Sequence, residues 1–427
     1  MSYLNGYTVK LRNFDEEHDI TQYVSSFTTE SIAGLGEVGS LRCAITLDNK
    51  TGEFTPFEIG GQGTYDFDLF VYCLTIEAEI NTTPSPTDVI VFDGVIRDVR
   101  MSGNVHDSTV TLSCSDWVAV STGTPADTSQ GINEYDFEDT IQFVMNSSYP
   151  TYNGLGFELP TFGASSPYQA IQTVAMGPVS TYLKMPATNN TTAQDLLSNT
   201  VLPSGPFVTW PGQITFQASP AGINYYFYVL DRTLTRTYDV QPFQFGPDGS
   251  GNGIPIVTMT IGYNTEFITS TTTTTSGLAG STPQTASNSV TATTYGGRSR
   301  TYAGTANTSD AEALQVSGFW TNRQATIRAT PLEVTTTIAA IEADGTADPD
   351  QIAALFDFGG SLYQLALASF TATGGVPYTS ELVTTRRTIS ATPSNTTISV
   401  ELLPAADYTS FVLDSNDLGR LGQNRLG

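Results

Sequence analysis

Apolar residues in this chain fall mostly in short runs with a period of two, and a turn signal closes each run. Tyr7 to Arg12, Leu41 to Leu47 and Thr109 to Cys114 alternate, Leu69 to Ile76 is continuously apolar, and Asp88 to Ile96 is rich in Val and Ile. Between them lie Gly34 and Gly36, Asn49-Lys50-Thr51-Gly52, Gly60-Gly61, Pro84 to Pro86, and Gly103-Asn104. A period of two sends successive side chains to opposite faces of an extended strand, and Gly, Pro and Asn supply the backbone angles at which strands reverse. Short strands cut at this spacing predict a barrel or sandwich for residues 1–120 and argue against a helical bundle. Charged residues make up only 14% of the chain, against about 25% in typical soluble domains. Thr, Ser, Gly, Asn and Pro fill the difference, a mix that suits strands and turns. A length of 427 residues gives room for roughly two to three domains.

The pattern then changes. Phe137, Ile141, Val144 and Met145 stand at i, i+4, i+7 and i+8, a helical stripe. Ser166-Pro167 has the form of an N-cap followed by Pro, with Ile171, Val174 and Ala175 on one face beyond it. Thr192 followed by Asp195 predicts the start of a short helix through Leu196-Leu197. Residues 121–205 therefore read as a small helical insert or connector. From Phe207 the β pattern returns, with strands expected at Ile214 to Ala218, Tyr225 to Leu230, Val257 to Ile261, Ile327 to Thr337, Glu381 to Ser390 and Thr397 to Leu403. The nearly uncharged Thr/Ser segment from Ser270 to Thr294 suits either a surface loop or an exposed ribbon. Ser309-Asp310-Ala311-Glu312 is a capping box that predicts one helix over about 309–322. The fold class expected is mainly β with a small helical insert (β+α): a β-barrel-like domain over 1–120, the insert, a second over 206–410, and a polar, Gly-rich C-terminal extension over 411–427.

Charge limits the partners. Seventeen Lys and Arg stand against 42 Asp and Glu, a net −25. Phosphate binding needs clustered cations, so such a surface repels nucleic acid and anionic membranes. The excess serves solubility, or it suits the wall of a conduit past which DNA slides without sticking. The N-terminus has no basic start followed by an apolar stretch, and no apolar run approaches the ~18 residues needed to span a bilayer. A soluble chain assembled in the cytoplasm is expected. Cys43, Cys73 and Cys114 form no regular framework and read as buried free thiols.

Reactive chemistry has few candidates. His18 and His106 are the only histidines, neither has a partner at metal-ligand spacing, and both are expected to be solvated. Asp48-Asn49-Lys50-Thr51-Gly52-Glu53 offers the oxygens of a calcium loop but lacks its later acidic positions, so a hairpin turn is expected. Phosphate-binding Gly motifs, CxxC and GxSxG are absent. No enzyme activity, metal or cofactor is predicted. Trp210, Tyr225, Tyr226 and Tyr228 could stack on sugars, but alternating strand and interface residues is the favoured reading.

Four segments remain to be placed. Asp48-Asn49 with Gly52, Phe54 and Pro56 follows Ile20-Thr21-Gln22-Tyr23-Val24. Phe92, Gly94 and Ile96 precede Val110-Thr-Leu-Ser-Cys-Ser-Asp116 by about 20 residues. Ser289 to Tyr295-Gly296 is followed by Asp310-Ala311-Glu312, and the chain closes on Phe411-Val-Leu-Asp414 and Gly419. In this order they resemble the hub or minor tail proteins of long-tailed bacteriophages, although Ser287 and Val290 stand where that family carries an acidic residue and Ile. The resemblance implies two related β-barrel-like domains and a ring, usually a homotrimer. This ring would join the tail tube to the distal tip or fibres and line the DNA exit channel without binding DNA. It implies other tail proteins as partners (tail tube or distal tail protein, tape measure, fibre or spike) and a place at the virion tail tip. A hexameric distal tail adaptor and a receptor- or carbohydrate-binding tail protein are the alternatives, and a cell-wall hydrolase comes third.

Overall fold

The alternating runs of the first 116 residues fold as strands β1 (Leu4–Arg12), β2 (Glu17–Asp19), β3 (Val24–Ile32), β4 (Ser40–Asp48), β5 (Cys73–Ile80), β6 (Thr87–Asn104) and β7 (Asp107–Ser115). The computed structural model describes residues 2–12, 17–35, 39–55, 69–104, 107–116, 125–128, 132–135, 183–185, 188–204, 207–209, 213–216, 223–226, 229–231, 243–248, 250–263, 268–323, 329–358, 362, 365–372 and 376–404. In β4, Leu41, Cys43, Ile45 and Leu47 point inward while Arg42 and Ala44 are exposed. The seven strands pair antiparallel in the order β3-β4-β7-β6-β5-β1-β2. One expectation shifts, and one strand was not anticipated. Leu69–Val71 is a 3-10 turn and its strand begins only at Cys73. β3 alternates in burial, but with Thr29 and Ser31 beside Phe27 on the inner face, so its sequence hides its period.

Residues 125–128 pair with 188–192, and 132–135 with 183–185. The expected helices at Phe137 to Met145 and Ser166 to Ala175 lie outside the described residues. Thr192 does open a helical segment: its Oγ1 accepts from the Asp195 N–H at 3.1 Å, and Ala193–Leu196 leads into a π turn, Leu197–Val201. The C-terminal half contributes β8 (Phe243–Phe245), β9 (Thr258–Tyr263), β10 (Thr271–Ser276), β11 (Gln284–Ser287), β12 (Ser299–Thr305), β13 (Ala329–Thr337), β14 (Leu365–Ala372), β15 (Val376–Thr392) and β16 (Asn395–Pro404). β10, β11 and β12 make a separate three-stranded ribbon with β10 in the middle. Ser289–Tyr295, within the segment expected as either a loop or a ribbon, is helix α1: the Asn288 side chain accepts from the Thr291 N–H at 3.0 Å, and Gly296 closes the last turn. That cap outweighs the β preference of the Thr residues it precedes. Helix α2 (Asp310–Arg323) covers the ribbon, burying Thr272, Thr274 and Ser276, with Ser317 and Thr321 donating to the carbonyls of Gln284 and Ala286. Val316, Phe319 and Trp320 of α2 form a small core of their own with Tyr302.

The remaining strands run β9-β13-β16-β15, with β14 on the first half of β15 and β8 parallel to β14. The second half of β15 then pairs with β3, from Arg386 opposite Ile32 to Ala391 opposite Phe27. This joint merges both halves into one 13-stranded sheet. Two further helices lie against it, α3 (Ile338–Asp344) and α4 (Pro349–Phe356), neither of them expected from the sequence. Each spans only two turns, too few for an apolar period to show. Their caps are legible: Thr337 accepts from Ala340 N–H at 3.1 Å, and Asp348 accepts from Asp350 N–H at 3.0 Å with Pro349 at the first helical position. Ile341, Ile352, Leu355 and Phe356 enter the same core as Val9, Phe27, Ile45, Phe92 and Leu112. Tyr3 Oη donates to the Ala347 carbonyl at 2.8 Å and Phe358 N–H to that of Ile90 at 3.1 Å, so helices of the second half close over strands of the first.

Candidate functional site

Among the described residues no group of three or more His, Cys, Asp or Glu is placed to hold a metal, and no helix is long and apolar enough to cross a membrane. His18 lies in β2 with its ring 5.7 Å from that of Tyr72; His106 lies outside the described residues. All three thiols are buried and free. Burial pushes each of them above its ordinary value, so they stay protonated, and only a thiolate attacks or ligates. Cys43 and Cys114 are direct register partners between β4 and β7. Trp210 and Tyr228 are outside the described residues, and Tyr225 and Tyr226 sit in a two-stranded hairpin with residues 213–216.

The residues singled out by the resemblance take the following positions where they are described. Asp48 accepts from the Lys50 N–H at 3.1 Å and pairs with the Lys50 ammonium at 2.8 Å. Asn49 is buried; its Oδ1 accepts from Phe54 N–H at 2.8 Å and its Nδ2 donates to Thr55 Oγ1 at 3.0 Å. With Gly52 at φ 77° this is a closed turn that plugs Phe54 against Tyr23, ring centroids 5.2 Å apart. The Asp48 and Asn49 side-chain oxygens take part in the turn itself. Phe92 and Ile96 are core residues, and Gly94 lies where a Cβ would come within 2.4 Å of the Ser115 carbonyl oxygen. Asp116, buried, accepts from Leu41 N–H at 3.0 Å while its own N–H donates to the Leu41 carbonyl, fastening the start of β4 to the end of β7. Tyr295 and Gly296 end α1. Asp310 accepts from Thr282 Oγ1 at 2.6 Å, tying the start of α2 to the ribbon. Glu312 accepts from Thr308 N–H at 2.5 Å, and Ser309 Oγ accepts from Glu312 N–H at 3.3 Å, as the capping box implied. Pro56, Asp414 and Gly419 lie outside the described residues.

Sequence reasoning did not single out the pair that joins the two halves. At the β3–β15 seam, Arg386 reaches Glu30 and, at 2.9 Å, Glu401. Its neighbour Arg387 is fully buried. One guanidinium nitrogen donates to the carbonyls of Leu355, at 3.4 Å, and Phe356; the other donates to Ser31 Oγ and the Val91 carbonyl, both at 2.9 Å. Burial pulls its proton affinity down to about 10, with Asp357 and Tyr7 opposing that fall, so it is charged at neutral pH. The last carbonyls of α4 carry the negative end of the helix dipole and have no intrahelical donor. Arg387 supplies that donor, and in the same contact holds β3 and β6. The segment Thr384-Thr385-Arg386-Arg387-Thr388 gives no sign of this, because two of the partners that bury Arg387, Ser31 and Val91, lie 356 and 296 residues away.

Among the described residues β2, β9, β11 and β12 each pair on one side only, and unpaired strand edges present a row of free N–H and C=O groups.

No protein-family model matches the sequence, and no curated protein is significantly similar to it. Solved structures do share the fold. A tail protein from Neisseria meningitidis MC58 superposes with a TM-score of 0.52 at 12% identity, over 95% of this chain and 98% of that one. The 43 kDa tail protein of prophage MuSo2 from Shewanella oneidensis gives 0.50 at 11% identity, over 94% and 99%.

Proposed function

We propose that a chain with the fold of these phage tail proteins is itself a structural component of a bacteriophage tail: a hub or tail-tip ring, most simply a homotrimer, that joins the tail tube to the distal tip or fibres. The observation that carries this reading is the agreement of fold with two tail proteins over nearly the whole length of each. Among the described residues β2, β9, β11 and β12 pair with a strand on one side only, which supports assembly, since copies arranged about an axis can pair further edges and closed cyclic symmetry is the common solution. The net −25 supports a lumen wall that repels DNA phosphate during ejection. Other tail proteins are its partners, and the virion tail tip is its place. No residue acts as a catalyst in this reading.

Native mass spectrometry of the purified chain tests the ring. Three times 45.7 kDa is expected; six copies would favour a distal tail adaptor. Gold-labelled antibody on intact phage should mark the distal end of the tail. A stable lone subunit that never enters a particle would overturn the proposal.

A further inference from the structure

Asn is a thermolabile residue, most of all before Gly, where no side chain shields the next backbone nitrogen. The chain has three such pairs: Asn5-Gly6, Asn153-Gly154 and Asn252-Gly253. Asn153-Gly154 lies outside the described residues. Asn5 and Asn252 are both exposed, but their surroundings differ. In β1, Asn5 is held by Asn81: its Nδ2 donates to Asn81 Oδ1 at 3.0 Å, and its Oδ1 accepts from Asn81 Nδ2 at 2.6 Å. Asn252 lies in the loop between β8 and β9. Among the described residues neither its carboxamide nor the Gly253 N–H has a hydrogen-bond partner.

The loop also favours the nitrogen that would attack. Asp248 Oδ1 accepts from the N–H groups of Ser250 at 2.7 Å and Asn252 at 2.8 Å. The Asp248 N–H donates to the Asn252 carbonyl at 2.7 Å. That carbonyl belongs to the Asn252–Gly253 peptide. When the Gly253 nitrogen loses its proton, it shares the negative charge with this oxygen. A donor already aimed at the oxygen therefore stabilises the anion that must form. Gly253 cannot give way to a shielding residue, since its φ is 155° and a Cβ would run into the Gly246 carbonyl. The Asp-Gly pair at Asp344-Gly345 shows the contrary case: its glycine N–H donates to the Ile341 carbonyl at 2.9 Å, closing α3.

We propose that Asn252 is a site of spontaneous covalent modification, in which the chain attacks itself. The deprotonated Gly253 nitrogen bonds to Asn252 Cγ and closes a succinimide ring. The bond from Cγ to the carboxamide nitrogen breaks, and that nitrogen takes up a proton and leaves as ammonia. Water then opens either carbonyl of the ring, giving aspartate or isoaspartate; nothing is oxidised or reduced. Isoaspartate carries an extra methylene in the backbone, just ahead of buried Ile254. The Ile254 N–H donates to the Gln244 carbonyl at 2.7 Å, and its carbonyl accepts from Gly246 N–H at 2.8 Å. The change therefore falls at the joint that fastens the loop to β8. The reaction belongs to the single chain and needs no ring.

Peptide mapping of the full chain after incubation in mildly alkaline buffer tests this, with fragmentation that separates isoaspartate from aspartate. In the native protein Asn252 should convert at least about tenfold faster than Asn5. In urea, where the fold no longer distinguishes them, the two should convert within about threefold of each other. Native conversion at Asn5 as fast as at Asn252 would overturn the proposal. So would a gap that persists unchanged in urea, or a native Asn252 that stays intact while the unfolded chain converts there.

Discussion

Replacing Arg387 tests whether one buried cation holds the two halves together. Its removal strips the donor from the Val91 and Phe356 carbonyls and from Ser31 Oγ. Each buried group left unpaired costs about 1–3 kcal/mol, and the Val91 carbonyl, the Phe356 carbonyl and Ser31 Oγ lose this donor together. For Arg387→Met, which keeps most of the volume, about 4 kcal/mol is expected. The loss is local to the seam, so the suitable assay is hydrogen exchange of β3 and the second half of β15. At tenfold per 1.4 kcal/mol, exchange there should rise roughly a thousandfold. Arg386→Met is the internal control. Its side chain is 41% exposed, so solvent screens its pairs with Glu30 and Glu401, and the loss should stay below about 1 kcal/mol. If Arg387→Met exchanged within about threefold of the parent at both strands, the guanidinium would be a spectator and the account of the seam would fail.

Gly94→Ala drives a Cβ against the Ser115 carbonyl and should lower the urea midpoint by an amount equivalent to about 2–3 kcal/mol; an unchanged midpoint would show that β6 can move aside. Asn49→Ala removes the hydrogen bonds to Phe54 and Thr55 and should cost about 2 kcal/mol in thermal unfolding, with Asn49→Asp intermediate. The native protein should not react with a thiol reagent at pH 8, and all three cysteines should react once it is unfolded. Because burial raises their folded-state values above the ordinary one near 9, the stability they contribute is present below that pH and declines as pH rises past it. Stability that climbed from pH 9 to 11 would contradict this.

The strands that proved easiest to read were those whose inner face is wholly apolar. β4 and β7 bury Leu41, Ile45, Leu47, Val110 and Leu112 with polar residues between them, so the period of two is written in the sequence. β3 carries the seam yet places Thr29 and Ser31 inside, so its partners define its face. Asn49, Gly94 and Asp116 were singled out by the resemblance; Asn49 bonds within its own turn, whereas Gly94 and Asp116 meet the distant Ser115 and Leu41. Arg387 was not, since its burial arises from β3, β6 and α4 converging on β15. The capping signals at Thr337 and Asp348-Pro349 were present in the sequence but attached to helices too short for a stripe, and Asn288 stood before a Thr run that reads as strand.

The β3–β15 joint also sets an order of events during synthesis. Val24–Ile32 leaves the ribosome early, yet its partner, Arg386 to Ala391, follows about 360 residues later. At about 5–20 residues per second, that is roughly 20–70 s. Throughout that interval the nascent chain holds out a strand edge with nothing beside it, and Ser31 waits for a guanidinium not yet made. Production of this protein should therefore be sensitive to elongation rate and to whichever chaperone shields such an edge, and a chain released before residue 386 could not complete its main sheet.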